Sequence, residues 1–288
     1  MERTTVMKLS FSTWGMQQTP IDVAVKHCAD LGFDGLELTV IPRWPTDAAT
    51  MDAAERRRIR KLYDDHHIEL CGLSGNTPLL TGDASARARN IETFKTYLDL
   101  AAELQHPGEH LSVSTTSSAP PDQWDAVKGE LVDLFGNAAA YAESIGVIVG
   151  AEPHVSNALH TPEQAIWLVQ QVNSPALGIH FDISHFNVQG MDLETVVAQL
   201  VPYSVHTHIK DERGIAPNHE FLIPGEGDMD YVGYLTAMDR AGWAEHITVE
   251  ISLMVQARPG FDALAAATQS YNVLAKAFEI AGVERPRR

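Results

Sequence analysis

Short apolar runs rich in β-branched residues alternate with longer segments of helical periodicity along the chain. Eight candidate strands begin near Lys8, Gly35, Ile68, His110, Val147, Leu177, Ser204 and His246. Their mean spacing of about 34 residues matches one strand, one helix and two loops. Between them, segments such as residues 21–32 and 194–201 repeat apolar residues at intervals of three and four. This pattern predicts amphipathic helices that cover a sheet.

Helix-start and helix-stop signals fall between the candidate strands. Thr161 precedes Pro162, and Gly32 and Gly146 follow two helical segments. With no low-complexity linker and no break in composition, eight βα units predict an α/β fold, a single (β/α)₈ TIM barrel. We expect one domain over residues 1–288, with the barrel at about 7–282 and a frayed tail at 283–288. A doubly wound sheet is the rival, but the turn at 12–20 carries no GxGxxG.

Composition narrows the classes of partner. Apolar residues make up 44% of the chain, and the formal net charge is −17. That charge repels polyanions, so we expect no nucleic-acid partner and no membrane partner. The sequence has no apolar leader segment and no run of about 18 apolar residues. Cys28 and Cys71 are its two cysteines, and neither lies in a CxxC. These features predict a soluble cytoplasmic protein in a reducing compartment.

The alternation within the last four predicted strands places polar side chains in the barrel lumen. Alternate residues of a barrel strand point inward, while the outward set packs against helices. The inward set includes Glu152, His154, His180, Asp182, His206, His208, Lys210 and Glu250. Several of these residues lie at strand ends, on the face where barrel active sites are built.

Four of these residues form a candidate metal site. Glu152, Asp182, His208 and Glu250 bring three carboxylates and one imidazole to the same level, which requires a compensating cation. This oxygen-rich set suits Mn²⁺ or Mg²⁺, and Co²⁺ also fits. A single acid at a strand end is usually a helix cap or an ion-pair partner, but four in register are harder to explain that way. Four protein ligands leave one or two positions open for substrate oxygens.

Further residues are candidates for contact with substrate. His154 and His185 lie within reach of a bound molecule, and Trp14 forms either a wall for a sugar ring or part of the core. Glu37 faces the lumen, where it either contacts substrate or pairs with a deep histidine.

For other polar residues, a purely structural role competes with a role in contacting substrate. Lys210 and Arg213 are either substrate contacts or partners of Asp211 and Glu212. His180 and His206 lie one layer deeper, and we expect them to be hydrogen-bonded lumen histidines. His219 has the pattern of a surface residue.

The strand-end segments AEPH, HFDISH, HTHIKD and TVEIS, with LGFDGLEL and PGEGDMDY, resemble the xylose isomerase-like superfamily of sugar isomerases and epimerases. The resemblance covers nearly the whole chain. It implies a divalent metal, usually Mn²⁺, on Glu152, Asp182, His208 and Glu250, with His185 orienting the substrate. By similarity to the ketose epimerases, Glu152 and Glu250 would be an acid/base pair on opposite faces of the sugar.

We therefore expect a metal-dependent isomerase or epimerase of carbohydrate metabolism. Its substrate would be a non-phosphorylated keto-sugar or polyol, which reacts through proton abstraction and a metal-stabilised enediolate. His154 departs from the epimerase pattern, and a neutral imidazole suits general-base work near pH 7. This detail resembles the deglycosidase and dehydratase branches of the superfamily. The resemblance implies as the alternative a lyase with His154 as base, either a C-glycoside deglycosidase metal subunit or an inosose-type dehydratase.

Two further possibilities carry less weight. A sugar-binding barrel without catalysis would not need two glutamates beside an open metal position. An endonuclease IV-like enzyme needs additional histidines after strands three and four, where this chain has GLSGNTP and SVSTTSS. The sequence leaves open a homo-oligomer or a second small subunit.

Overall fold

The computed structural model describes residues 6–286 and contains a closed barrel of parallel strands. The strands of the described residues, of which β8 and β9 lie outside the barrel, are β1 (Lys8–Ser12), β2 (Gly35–Thr39), β3 (Glu69–Ser74), β4 (Ser112–Thr116), β5 (Ile148–Glu152), β6 (Leu177–Asp182), β7 (Ser204–Ile209), β8 (Asp211–Ile215), β9 (Asn218–Leu222) and β10 (His246–Val249). Strands β1 to β7 follow one another around the barrel, and β10 closes it between β7 and β1. The predicted (β/α)₈ TIM barrel is confirmed.

Helices connect and surround the barrel strands. They are α1 (Ile21–Leu31), α2 (Ala53–Asp65), α3 (Ala84–Leu104), α4 (Trp124–Ile145), α5 (Pro162–Val172), α6 (Ser184–Asn187), α7 (Leu193–Leu200), α8 (Tyr231–Arg240), α9 (Leu253–Gln256) and α10 (Ala263–Ala281). The predicted cap signals are confirmed, since Thr161 and Gln164 form a capping box at the start of α5. Gly32 ends α1 with φ +103°, a left-handed conformation that glycine adopts without steric cost. Among the described residues, no helix is long and apolar enough to cross a membrane.

The two faces of the barrel strands have different chemistry. In β1, Leu9 and Phe11 are fully buried in the apolar core, and the Phe11 ring lies 5.6 Å from that of Phe33. The alternate residue Ser12 donates a hydrogen bond to Glu37 from β2. Branched apolar side chains usually fill the lumen of a TIM barrel. A lumen that instead buries polar side chains indicates a site with a chemical role.

The register between neighbouring strands aligns the predicted site residues. Asp182 pairs with His208 across β6 and β7, and His180 pairs with His206 one layer below. Because inward positions alternate, these four side chains form two layers that both face the lumen. Strand pairing therefore sets the height along the barrel axis at which the candidate site residues lie.

A two-stranded antiparallel hairpin, β8–β9, was not anticipated from the sequence. It follows β7 directly and lies outside the barrel sheet. The Asp211 carboxylate accepts hydrogen bonds from the backbone N–H groups of Gly225, Gly227 and Met229. These bonds attach the loop after β9 to the start of the hairpin, so an acid in the HTHIKD segment has a structural role.

The expectation of a frayed tail is wrong for residues 283–286, and residues 287–288 lie outside the described part. Val283 is buried, and Glu284 forms a β-bridge with Val6. The Arg285 guanidinium donates to the carboxylate of Asp34 at 2.8 Å and to the carbonyl of Gly32 at 2.6 Å. These partners come from the α1–β2 connection, far away in sequence, so a local pattern does not reveal them.

Candidate active site

The structure brings the four predicted metal ligands together at the C-terminal mouth of the barrel. Glu152, Asp182 and His208 are buried, and one candidate ligand atom from each lies within 4.8 Å of the others. Glu250 follows β10 and places its Oε1 3.8 Å from Nδ1 of His208. We call Glu152, Asp182, His208 and Glu250 the outer group.

The donor atoms of the outer group suit a metal ion. His208 Nε2 lies 2.9 Å from Glu37 Oε2, a geometry in which the ring donates its N–H to the carboxylate. Nδ1 of His208 is buried and has no hydrogen-bond partner in the described structure. A histidine that donates one N–H to a carboxylate while its other nitrogen faces acids has the arrangement of a metal ligand with an outer-shell carboxylate.

Protonation competes with metal binding at His208. Burial opposes the charge on the ring, but Glu37 and Glu250 raise the pKa of His208 to about 9. A metal ion bound at Nδ1 would have to displace a proton from that nitrogen.

Lys210 lies among the acids of the outer group. Its Nζ forms ion pairs with Asp182 Oδ2 and Glu250 Oε2, and the residue is 3% exposed. Burial disfavours its charge, but Asp182, Glu250 and Glu152 raise the pKa of Lys210. Burial likewise opposes the charge on Asp182, but Lys210 and His185 hold the pKa of that carboxyl well below its usual range. The expected alternative pairing of Lys210 with Asp211 or Glu212 is wrong.

His154 and His185 form a ring pair beside the outer group. Their ring centroids are 3.9 Å apart, and His185 Nε2 lies 3.5 Å from Asp182 and 3.7 Å from Glu152. His154 Nδ1 accepts a hydrogen bond from the backbone N–H of Ser156 at 3.1 Å. In the neutral ring the proton is therefore on Nε2.

The electrostatic environment makes His154 a weaker base than its residue type suggests. Burial first, and then His185, lowers the pKa of His154 to about 3. Burial also lowers the pKa of His185 to about 4. This lowered pKa does not favour the general-base role expected for His154.

A cavity of about 400 Å³ opens above the outer group. Its wall is formed by Trp14, Asn76, Thr116, Glu152, His154, Ser156, Asn157, His185, Lys210, His219, Phe221, Glu250, Ser252, Leu253 and Met254. Trp14 thus lies in the wall, where it stacks on Trp44 with ring centroids 4.8 Å apart. The volume falls within the usual range of small-molecule pockets.

Several wall residues were missed from the sequence. Asn76 and Thr116 lie at or just beyond the ends of β3 and β4, so the strand-end rule could have found them. Phe221 comes from the unanticipated hairpin, for which no local signal was recognised. The expectation that His219 is a surface residue is wrong, because it lines the cavity and contacts Phe221 edge-on at 5.0 Å.

Two predicted contact residues do not line this cavity. Arg213 donates a hydrogen bond to the carbonyl of Glu226, and its Nε lies 3.8 Å from Asp228. Glu37 is 1% exposed and lies beneath the outer group. It pairs with His208 and His206 and does not line the cavity, so of its two expected roles the structure favours pairing with deep histidines over contact with substrate.

Glu37, His180 and His206 form a second polar layer, which we call the deep group. Burial opposes the charge on Glu37, but His208 and His206 hold the pKa of its carboxyl well below the usual range. Burial lowers the pKa values of His180 and His206. His206 Nε2 lies 3.3 Å from the hydroxyl of Thr248, whereas no hydrogen-bond partner of His180 Nε2 is present among residues 6–286. The expected hydrogen bonding is thus confirmed for His206 only.

The fold and the site together define a TIM barrel with a candidate metal centre at its C-terminal mouth. A sequence model of the xylose isomerase-like TIM barrel family matches residues 25–275, and the chain belongs to that family.

Relatives and solved structures extend this comparison. Fructoselysine 3-epimerase of Escherichia coli O157:H7 is 26% identical over 261 residues, which cover 88% of this chain and 93% of the relative. The IOLI protein, solved with a bound zinc atom, superposes with a TM-score of 0.79 at 20% identity, covering 96% of this chain and 99% of its own. D-psicose 3-epimerase, solved with D-fructose, has a TM-score of 0.76 at 19% identity, with coverage of 96% and 100%. These structures share the fold.

Proposed function

We propose that this protein is a divalent-metal-dependent isomerase or epimerase of a non-phosphorylated keto-sugar or polyol. The observation that carries the proposal is the outer group beneath an open cavity. Glu152, Asp182 and His208 offer ligand atoms within 4.8 Å of one another, and Glu250 Oε1 lies 3.8 Å from the unpartnered Nδ1 of His208. The similarity to fructoselysine 3-epimerase supports the reaction class. Mn²⁺ is the preferred ion, because carboxylate oxygens dominate the donor set, and Mg²⁺ or Co²⁺ would also fit.

The residues of the outer group would bind the ion and transfer the proton. Glu152, Asp182, His208 and Glu250 would hold the ion, which when bound supplies Lewis-acid stabilisation of negative charge beside the substrate carbonyl. Glu152 and Glu250 would move the proton at the carbon next to that carbonyl, one from each face of the sugar. Burial raises the pKa of Glu152, and a cation bound beside it would act in the opposite direction.

The histidine pair fits a binding role in this reaction. With Nδ1 of His154 engaged by the backbone of Ser156, the neutral ring presents an N–H at Nε2. That group can donate to a substrate oxygen, but it cannot abstract a proton without first changing tautomer. This feature favours proton transfer by the glutamates over elimination with His154 as base. His185, which adjoins both Asp182 and Glu152, is positioned to orient the substrate.

The charges around the cavity favour an uncharged substrate. Among the described residues that line the cavity, Lys210 is the only lysine or arginine. Its ammonium already pairs with Asp182 and Glu250. Arg258, which follows α9, is engaged as well, since it forms an ion pair with Glu226 at 2.7 Å. A phosphorylated sugar would therefore meet acids without an unengaged cation to offset its charge.

Deuterium exchange tests the reaction class. The protein is incubated in D₂O with a panel of ketoses, inososes and 3-keto glycosides, and the products are followed by NMR and mass spectrometry. We expect deuterium at a carbon next to the carbonyl and an unchanged carbon skeleton. Loss of water or of an aglycone would indicate the lyase alternative. Binding of a sugar without exchange or conversion would indicate a non-catalytic barrel.

Metal removal gives a second test. We expect a chelator to abolish turnover of the substrate identified by exchange, and Mn²⁺ to restore it more fully than Mg²⁺ or Co²⁺. The reason is that the acids of the outer group cannot stabilise negative charge on the substrate without the ion. Metal content is measured alongside activity. An enzyme that retains full activity after quantitative metal removal would contradict the proposal.

A further inference from the structure

The deep group has the spacing of a separate cation site. Glu37, His180 and His206 are each at most 3% exposed. Candidate ligand atoms from these residues and His208 lie within 4.8 Å of one another. Zinc bonds of about 2.0–2.1 Å place tetrahedral ligand atoms about 3.4 Å apart, so small side-chain shifts would complete such a site.

Two buried polar atoms of the deep group lack hydrogen-bond partners in the described part of the chain. They are Glu37 Oε1 and His180 Nε2. Nε2 of His206 lies 3.4 Å from Glu37 Oε1. Burying polar atoms without partners costs free energy, and natural structures usually satisfy such atoms with protein, water or an ion. One cation bound between these three side chains would satisfy both unpartnered atoms, and Nε2 of His206 would exchange its contact with the Thr248 hydroxyl for the ion.

The other oxygen of Glu37 is already engaged. Oε2 accepts hydrogen bonds from Ser12 Oγ and from Nε2 of His208. An ion at Oε1 would leave both of these bonds intact, so His208 could still direct Nδ1 toward the outer group. The two sites are therefore compatible and would share the carboxylate of Glu37 as a link.

The two groups differ in donor chemistry. The outer group offers carboxylate oxygens and one nitrogen, whereas the deep group offers one carboxylate and two imidazoles. A set of two histidines and one glutamate is a typical zinc environment, and imidazole also suits other late first-row divalent ions.

We propose that Glu37, His180 and His206 form a second, buried site for a zinc-type divalent cation, one layer below the outer group. This ion would hold the floor of the active site in place, and the proposal does not depend on which sugar reaction the protein catalyses.

A second cavity gives this site its own route of entry. A cavity of about 770 Å³ opens at the N-terminal mouth of the barrel, and His206 lines it together with Glu69 and His246. The outer group instead lies beneath the C-terminal cavity. A cation could thus reach the deep group without passing through the substrate-binding cavity.

Metal stoichiometry tests the proposal in the full-length protein. The chelator-stripped protein is titrated with Co²⁺ or Zn²⁺, and bound metal is counted by elemental analysis. We expect two equivalents in the wild type and one in His206→Gln. A matched control is His110→Gln, which lines the same N-terminal cavity outside the deep group and should retain two equivalents. Circular dichroism and the Tm establish that each variant is folded.

A double variant isolates the deep group. Glu152→Gln with Asp182→Asn should keep one equivalent of Co²⁺ with the intense visible absorption of a four-coordinate ion. If this variant does not fold, the comparison of wild type with His206→Gln still decides the proposal. A folded His206→Gln that binds as many equivalents as the wild type would overturn it. Failure of the proposed sugar reaction would instead appear as a loss of turnover that leaves these stoichiometries unchanged.

Discussion

Glu250→Gln is expected to lower kcat by about 10²–10⁴-fold, the usual contribution of a general acid or base. The substitution keeps the size of the side chain but removes a negative charge beside His208 and the group proposed to move the proton. Glu152→Gln should have a comparable effect, because the two glutamates are proposed to act on opposite faces of one substrate. The measurement is steady-state turnover of the substrate found by deuterium exchange, with Mn²⁺ at saturation.

A matched control separates this effect from a general change in charge. Glu245 lies five residues earlier, is exposed, and borders the opposite mouth of the barrel. Glu245→Gln should leave kcat within about twofold of wild type, because surface substitutions away from special features usually have small effects. Full activity in either Glu152→Gln or Glu250→Gln would remove the acid/base pair from the mechanism.

Lys210→Met is expected to destabilise the metal-free protein by about 3–5 kcal/mol, the usual cost of removing one partner from a buried ion pair. Lys210 Nζ pairs with both Asp182 and Glu250, so its loss leaves two buried carboxylates without their cation. The measurement is the free energy of unfolding by urea in the presence of a chelator.

Metal should reverse most of this loss. An ion that binds the folded protein stabilises it by an amount that grows with the logarithm of its concentration relative to the Kd, and in Lys210→Met it would replace the missing positive charge. We therefore expect Mn²⁺ to raise the Tm more in this variant than in wild type. Lys95→Met is the control, since Lys95 pairs with Glu92 at the surface, where an ion pair contributes about 0–1 kcal/mol. An equal Mn²⁺ effect in Lys210→Met and wild type would show that Lys210 does not substitute for the ion.

Much of the architecture could be predicted from the sequence, because its causes are local. The period-two alternation of residues in the strands is set by backbone geometry, so it identifies Glu152, Asp182, His208 and Glu250 as residues that face the lumen. Their adjacency follows from the pairing of the strands around the barrel. The spacing of strands and helices limited the topology, and the capping box at Thr161 depends on four consecutive residues.

The tertiary structure decided which of several partners each polar side chain has. Lys210 could have paired with Asp211 next to it, but the barrel places its ammonium between Asp182 and Glu250. Arg285 could have remained solvated, but it reaches Asp34 across 251 residues of sequence. Neither choice has a local cause, since each depends on strands or loops that are distant in the chain.

The barrel and the set of residues that face its lumen follow from local patterns in the sequence. The positions of the ring protons do not, because they depend on contacts made by folding: the Ser156 N–H donates to Nδ1 of His154, and Glu37 accepts from Nε2 of His208. The direction in which a strand side chain points can be read from periodicity, because it is set by the backbone of the strand itself. Tautomers, ion pairs and pKa values depend on atoms within a few ångströms in space, and folding brings those atoms together from distant parts of the chain.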